Sequence, residues 1–202
     1  MLICTSNVDT NSPKLAAGLL TDSLQEHLDT VQALLRSNIN DIEQSGQMIC
    51  DALVAGKKIL LCGNGGSAAD AQHIAAELVG CYEKERRSWP AIALTTDTSA
   101  LTAVSNDLGY EQVFARQLAG LAHAGDILIA ISTSGRSKNV LKAVERAREL
   151  GCQTIALTGA SSDPLGSLCD FIVAVPANRT SRVQEAHITI GHLWCEMVDQ
   201  IE

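Results

Sequence analysis

Four polar side chains stand out for the chemistry they could share: His73 and Glu77, and, far along the chain, Gln184 and His192, all in stretches whose residue spacing predicts helix. A spacing of four puts His73 and Glu77 on one helical face, which suits a shared metal ion and a histidine–carboxylate hydrogen bond equally well. Gln184 and His192 stand about 12 Å apart along a helix axis, with His187 between them. One metal is reached from both only if each side chain bends toward the other, or if a neighbouring subunit completes the site. An imidazole and a carboxylate are also suited to moving protons near neutral pH.

Two loops of small polar residues supply a different chemistry. Gly63, Asn64, Gly65, Gly66 and Ser67 follow the apolar run Lys58 to Cys62, and Ser132, Thr133, Ser134, Gly135, Arg136 and Ser137 follow the run Ile127 to Ile131. Each opens onto a helical stretch. A strand that turns through small residues into a helix aims free backbone N–H groups at an anion, so two such turns point to a phosphorylated ligand. The first loop alone is also explained as a tight turn that needs glycine. The second carries four hydroxyls, from Ser132, Thr133, Ser134 and Ser137, more donors than a helix cap requires, and a phosphate matches them. Neither the dinucleotide pattern G-x-G-x-x-G nor the nucleotide-triphosphate pattern G-x-x-x-x-G-K-[ST] is present. Arg136 and Lys138 either add charge there or are ordinary solvated surface.

The elements that must position these residues follow from periodicity. Ser12 before Pro13 suits a helix start, and the pattern is helical from there to Ala55. Leu24, Leu28, Val31 and Leu35 keep helical spacing, a polar patch spans Ser37 to Asn40, and Ile42, Ile49 and Leu53 resume it before Gly56 closes the last turn. One or two long amphipathic helices are therefore expected ahead of the sheet, with packing against the same helices of another subunit as an alternative use. Five short apolar runs follow, Lys58 to Cys62, Ala91 to Leu94, Ile127 to Ile131, Thr154 to Leu157 and Phe171 to Val175, with helical stretches between them. This predicts an α/β fold with a five-stranded parallel sheet flanked by helices on both faces, and an N-terminal helical extension. Thr180 to Ile201 is again helical. The expected organisation is one structural domain, with an N-terminal helical region over 1–56 and the α/β unit over 57–202. Ligands are expected beyond the carboxyl ends of the strands, where both loops fall.

Composition narrows the partners. The 202 residues carry a net charge of −8, and no cluster of cations is present to hold nucleic acid or an anionic membrane. An anionic substrate must then be held locally. Aromatics make up only 3% of the chain, so the core is expected to consist of Ala, Leu, Ile and Val. Seven scattered cysteines, an odd number with no C-x-x-C pair, are expected to be reduced core thiols of a cytoplasmic protein. Met1 to Cys4 lacks the basic flank of a signal peptide, and no apolar run approaches membrane-spanning length. His27 and His123 have no partner in the pattern and are expected to be exposed.

From Lys58 onward the chain resembles the sugar isomerase (SIS) domain family, and within it the phosphoheptose isomerases. The resemblance rests on Cys62 to Ser67, then Asp70, His73 and Glu77; on Ala93 to Asp97 followed by Asn106 and Asp107; on Ile131 to Gly135 with Ser137; and on Arg182, Val183, Gln184 and Glu185 with His187 and His192. It implies an SIS-type doubly wound fold. The implied activity is an aldose–ketose isomerase that converts D-sedoheptulose 7-phosphate to D-glycero-D-manno-heptose 7-phosphate through an enediol, at the start of heptose synthesis for bacterial surface glycans. The substrate contacts it implies are Asn64, Gly65, Gly66, Ser67, Glu77, Asn106, Asp107, Ser132, Thr133, Ser134, Ser137 and Gln184. It further implies one zinc per subunit on His73, Glu77, Gln184 and His192, proton transfer by Glu77 and His192, and a homotetramer with active sites between subunits. Where some members of the family carry Asp ahead of the last motif, this chain has Ser181, so the resemblance carries no acid/base role to that position. Two rivals are a non-catalytic relative that binds the bacterial replication initiator and a sugar-phosphate sensor without turnover. Glu77, present here, favours the enzyme.

Overall fold

The computed structural model describes residues 18–201; the expected helix start at Ser12 and Pro13, and Cys4, lie outside them. Two helices come first, α1 (Leu19–Ser37) and α2 (Ile39–Val54), separated at Asn38 inside the polar patch. Then come β1 (Ile59–Cys62), α3 (Gly66–Val79), β2 (Ala91–Ala93), α4 (Thr98–Leu108), α5 (Val113–Leu121), β3 (Ile127–Ser132) and α6 (Lys138–Glu149). The chain continues with β4 (Gln153–Thr158), a single turn α7 (Leu165–Leu168), β5 (Phe171–Ala174) and α8 (Thr180–Val198). All four strand pairs are parallel and the order is β2-β1-β3-β4-β5. The five expected apolar runs are the five strands.

Because side chains alternate along a strand, each strand feeds two cores. Ile59, Leu61, Ile127, Ile129, Ile155 and Leu157 face one layer, made with α2, α3 and α8. Leu60, Cys62, Leu128, Ala130 and Ala156 face the other, made with α5 and α6. The central strands are apolar on both faces, as a sheet covered by helices on both sides requires. In α2, Ile42, Ile49 and Leu53 are all at most 4% exposed within the first core. Burial of each such side chain contributes about 2 kcal/mol. The indole N–H of Trp194 in α8 reaches the Ile42 carbonyl and the Ser45 hydroxyl, both at 3.1 Å, so the second helix is bound into the sheet domain.

The order 2-1-3-4-5 has its switch point between β1 and β3, where the chain leaves adjacent strands toward opposite faces and a crevice opens at their carboxyl ends. The loop after β1 and the serine loop after β3 are the walls of that crevice. No helix among the described residues is long and apolar enough to cross a membrane.

Three expectations need correction. His27 has a partner: its Nδ1 lies 2.8 Å from Glu185 of α8. His123 is largely exposed, yet its Nδ1 sits 2.9 Å from the Lys58 amine. Both partners are distant in sequence, so local pattern had no means of pairing them. Of the six described cysteines, all free thiols, Cys50, Cys62, Cys152 and Cys195 are buried, Cys169 is half-buried, and Cys81 is exposed rather than in the core. Burial pushes the Cys195 and Cys169 thiols up to about 12, which leaves them inert at neutral pH.

Candidate active site

The serine loop is shaped by its own side chains. Ser132 and Ser137 share a hydroxyl–hydroxyl hydrogen bond of 3.1 Å across the turn, and the Ser134 hydroxyl accepts the Arg136 N–H at 3.3 Å. Gly135 has φ of +65°, and a Cβ there would lie 2.5 Å from the Ser162 carbonyl oxygen. The turn therefore needs glycine for its backbone angle and for the close passage of the 161–162 segment. Ser137 caps α6 by position while its hydroxyl serves the turn. A cavity of about 180 Å³ opens beside the loop, lined by Thr133, Ser134 and Arg136 together with Ser161 and Asn178 from the loops after β4 and β5 and Thr180 at the start of α8.

The two loops are bolted to each other. Asn64 and Asn139 exchange side-chain amide hydrogen bonds of 2.8 and 2.9 Å, and the Tyr110 hydroxyl donates to the same Asn64 oxygen at 2.9 Å. With its side chain thus engaged, Asn64 holds the crevice in shape, and the groups left for an anion on this loop are backbone N–H groups. Gly65 and Gly66 are exposed, whereas Ser67 is buried in the first turn of α3. Asn139 and Tyr110 carry no motif of their own and were not legible in the sequence.

The expected proton-transfer residues meet between α3 and α8. His73 Nε2 lies 2.9 Å from His192 Nε2 and 3.5 Å from a Glu77 oxygen. His73 thus connects the carboxylate to the second imidazole. The two rings pack edge to face, and Tyr82 stacks on His192 with centroids 5.3 Å apart. Glu77 sits in the last turn of α3, whose end is fixed by Arg86: its guanidinium donates to the Glu77 carbonyl at 2.8 Å and the Leu78 carbonyl at 3.0 Å, and pairs with buried Asp199 at 2.7 Å. Tyr82, Arg86 and Asp199 belong to the site's frame and gave no signal in the sequence, because nothing local tells a loop arginine that it will cap a helix.

Gln184 stands apart from that cluster, two turns before His192 on α8. Its Nε2 donates to Asp70 at 2.6 Å, and its Cγ passes 3.1 Å from where a Cβ on Gly66 would lie, so glycine at 66 gives it room. Asp70 is 3% exposed. Burial raises its carboxyl to about 6, while the Gln184 hydrogen bond and the nearby His73 pull the other way. Gly66, Asp70, His73 and Glu77 step along α3 at four, three and four residues, which is one helical face. That spacing was the signal by which Asp70 could have been placed in the site. His187 faces the interior instead, with its Nε2 3.1 Å from the Thr158 carbonyl, and burial lowers it to about 4. It is a neutral core histidine. Asn106 and Asp107 bond to each other at 2.8 Å on exposed α4.

The donor types of the groove suit zinc: two imidazoles, a carboxylate and the free carbonyl end of a glutamine amide. The geometry fits in part. Two nitrogens on one tetrahedral zinc stand about 3.3 Å apart, so the imidazole pair at 2.9 Å must open slightly to admit an ion. Among the described residues no three His, Cys, Asp or Glu side chains converge as a ligand set.

The SIS domain family matches residues 23–159. The phosphoheptose isomerase of a Nitratiruptor species is 55% identical over 177 residues, covering 88% of this chain and 95% of that protein. This chain belongs to the SIS domain family, among the phosphoheptose isomerases. The phosphoheptose isomerase of Aliarcobacter butzleri is 53% identical over 86% of this chain and 92% of its own. Two solved structures share the fold. Phosphoheptose isomerase GmhA from Neisseria gonorrhoeae has a TM-score of 0.86 at 41% identity, covering 90% of this chain and 97% of that one. The phosphoheptose isomerase from Francisella tularensis has 0.87 at 38%, covering 90% and 96%.

Proposed function

We propose that this chain is an aldose–ketose isomerase converting D-sedoheptulose 7-phosphate to D-glycero-D-manno-heptose 7-phosphate, the opening step of heptose synthesis for surface glycans. The observation that carries the reading is that His73 contacts both His192 and Glu77 between α3 and α8, in a chain that also holds a hydroxyl-rich turn and is about half identical to phosphoheptose isomerases. The phosphate sits against Ser132, Thr133, Ser134 and Ser137, with backbone N–H groups of Gly65 and Gly66 closing the crevice. That anchor sets the sugar in the groove.

The reaction needs a proton taken from C1, a proton placed on the C2 oxygen to give the enediol, then removal of the O1 proton and return of a proton to C2. Glu77 is the base at carbon, and His192 shuttles the hydroxyl protons. His73 holds the two at fixed distance. One zinc per subunit on His73, Glu77, Gln184 and His192 supplies, when bound, polarisation of the substrate oxygens. A carboxylate that ligates zinc tightly is a weaker base, so Glu77 serves one role at a time.

The assembly is a homotetramer with active sites between subunits. α1 supports this: Leu20, Leu24, Leu28 and Leu35 form a stripe at helical spacing that is between 53% and 74% exposed in the single chain. α4, which carries Asn106 and Asp107, has no buried residue. A second copy of the chain covers these surfaces and brings Asn106 and Asp107 to the substrate. The chain acts in the cytoplasm, consistent with the free thiols of its six described cysteines, and takes neither nucleic acid nor membrane as partner.

Purified protein supplied with zinc is expected to convert sedoheptulose 7-phosphate, followed by loss of the ketose and appearance of the aldose. Binding without conversion favours the sensor. Replacement of Leu24 and Leu28 by Glu is expected to shift the protein from tetramer to smaller species in sedimentation and to cut turnover. A tetramer that survives both substitutions removes α1 as the interface.

A further inference from the structure

We propose that Asp70 is a positioning residue that fixes which end of the Gln184 amide faces the substrate groove. The inference rests on Gln184 having a place in the site as given above, and adds what sets its orientation. A glutamine amide has nearly the same shape at its two ends, one a double donor and one an acceptor. Rotation by half a turn exchanges them. A carboxylate only accepts, so the NH2 end must meet Asp70, and the 2.6 Å contact of Nε2 with the Asp70 oxygen is that arrangement. The carbonyl end is thereby turned away from Asp70. There it is an acceptor, able to receive a hydrogen bond from a substrate hydroxyl or to ligate a cation. The opposite orientation would present two N–H donors and repel a cation.

Two further observations say the pairing serves the site rather than the core. The second Asp70 oxygen is buried with no hydrogen-bond partner, an arrangement that weakens the fold and would be lost by placing an apolar residue at 70. The chain also makes room for Gln184 beside Asp70, since a Cβ at Gly66 would stand 3.1 Å from its Cγ and glycine there removes that contact. What remains free is the amide torsion, and Asp70 is the group that sets it. Partners that orient a ligating side chain through its other end typically influence affinity or rate by ten- to a hundredfold.

The test compares four variants for zinc affinity by competition with a chromogenic chelator, for kcat and KM, and for melting temperature. Asp70→Asn is expected to keep the wild-type melting temperature or exceed it, while zinc affinity and kcat each fall about tenfold. Gln184→Glu alone sets two carboxylates against each other and is expected to lose more. Combining Asp70→Asn with Gln184→Glu reverses the polarity of the hydrogen bond, with the new Asn donating and a carboxylate oxygen turned to the groove, and is expected to recover at least tenfold over Gln184→Glu. Wild-type zinc affinity and turnover in Asp70→Asn overturn the proposal. If Asp70→Asn is unstable, the polarity-reversed pair decides, and its failure to recover zinc affinity overturns the proposal equally. Gln184→Ala separates the two levels. A silent Gln184→Ala sinks the placing of Gln184 in the site, whereas a damaged Gln184→Ala beside a silent Asp70→Asn sinks only the role of Asp70.

Discussion

Replacing Glu77 by Gln is expected to lower kcat on sedoheptulose 7-phosphate about a thousandfold, the middle of the range that a positioned base contributes, while the dissociation constant for the sugar phosphate changes little. The substitution keeps the size of the side chain and leaves the backbone carbonyl of residue 77 where Arg86 holds it, at 2.8 Å. On the proposed mechanism it removes a negative charge beside the carbon that loses a proton. That charge matters most when the proton is in transit, so rate suffers and ground-state binding does not. Calorimetric titration with substrate and a count of zinc per subunit belong with the kinetics. Lost turnover with retained zinc and retained binding assigns Glu77 to proton transfer. A loss of binding equal to the loss of rate assigns it to the frame of the site.

Gly135→Ala is expected to be the most damaging single-methyl change in the serine turn proposed to hold the phosphate. A non-glycine residue at φ of +65° costs about 1–2 kcal/mol in its backbone, and here the new Cβ also lands 2.5 Å from the Ser162 oxygen and 2.8 Å from its carbonyl carbon. Backbone atoms cannot rotate away as a side chain would, so the 161–162 segment has to move, at a total cost of about 3 kcal/mol. For a chain of this length that corresponds to about 10 °C in melting temperature. The turn's four hydroxyls move with it, and KM for the sugar phosphate is expected to rise more than kcat falls. A melting temperature and a KM close to wild type would mean that the 161–162 segment yields freely and that Gly135 is not what shapes the turn.

Much of the site is written in local spacing. The serine loop and the glycine loop were legible because each lies between an apolar run and a helical stretch, and β-to-α turns of small residues are recognisable without knowing what they face. The pair His73 and Glu77 was legible for the same reason, since a spacing of four on a helix fixes a shared face wherever the helix goes. Asp70 shares that face by spacing, but what it does there depends on its pairing with Gln184, 114 positions away. Tyr82, Arg86, Tyr110 and Asn139 were illegible, as each acts through a residue distant in the chain. His187 shows the reverse. It belongs to the same motif as Gln184 and His192, but its position on α8 turns it to the core, where burial keeps it neutral.

The sequence by itself determined the strands, the helices and the two loops, because these depend on alternation, on the 3.6-residue period and on glycine, all properties of neighbours. It also indicated that most of both core layers would be aliphatic, although the few aromatics are used there: Trp89 and Trp194 are buried in one layer and Phe114 in the other. Only the tertiary structure decided that α3 and α8 lie side by side so that His73 and His192 face each other at 2.9 Å. It alone decided that Asn64 commits its side chain to Asn139 and Tyr110, and that Gln184 turns its amide nitrogen to Asp70. Those contacts join residues between 46 and 119 positions apart. They arise from the burial of apolar faces elsewhere on the same helices, a property of the whole chain that no short stretch of it contains.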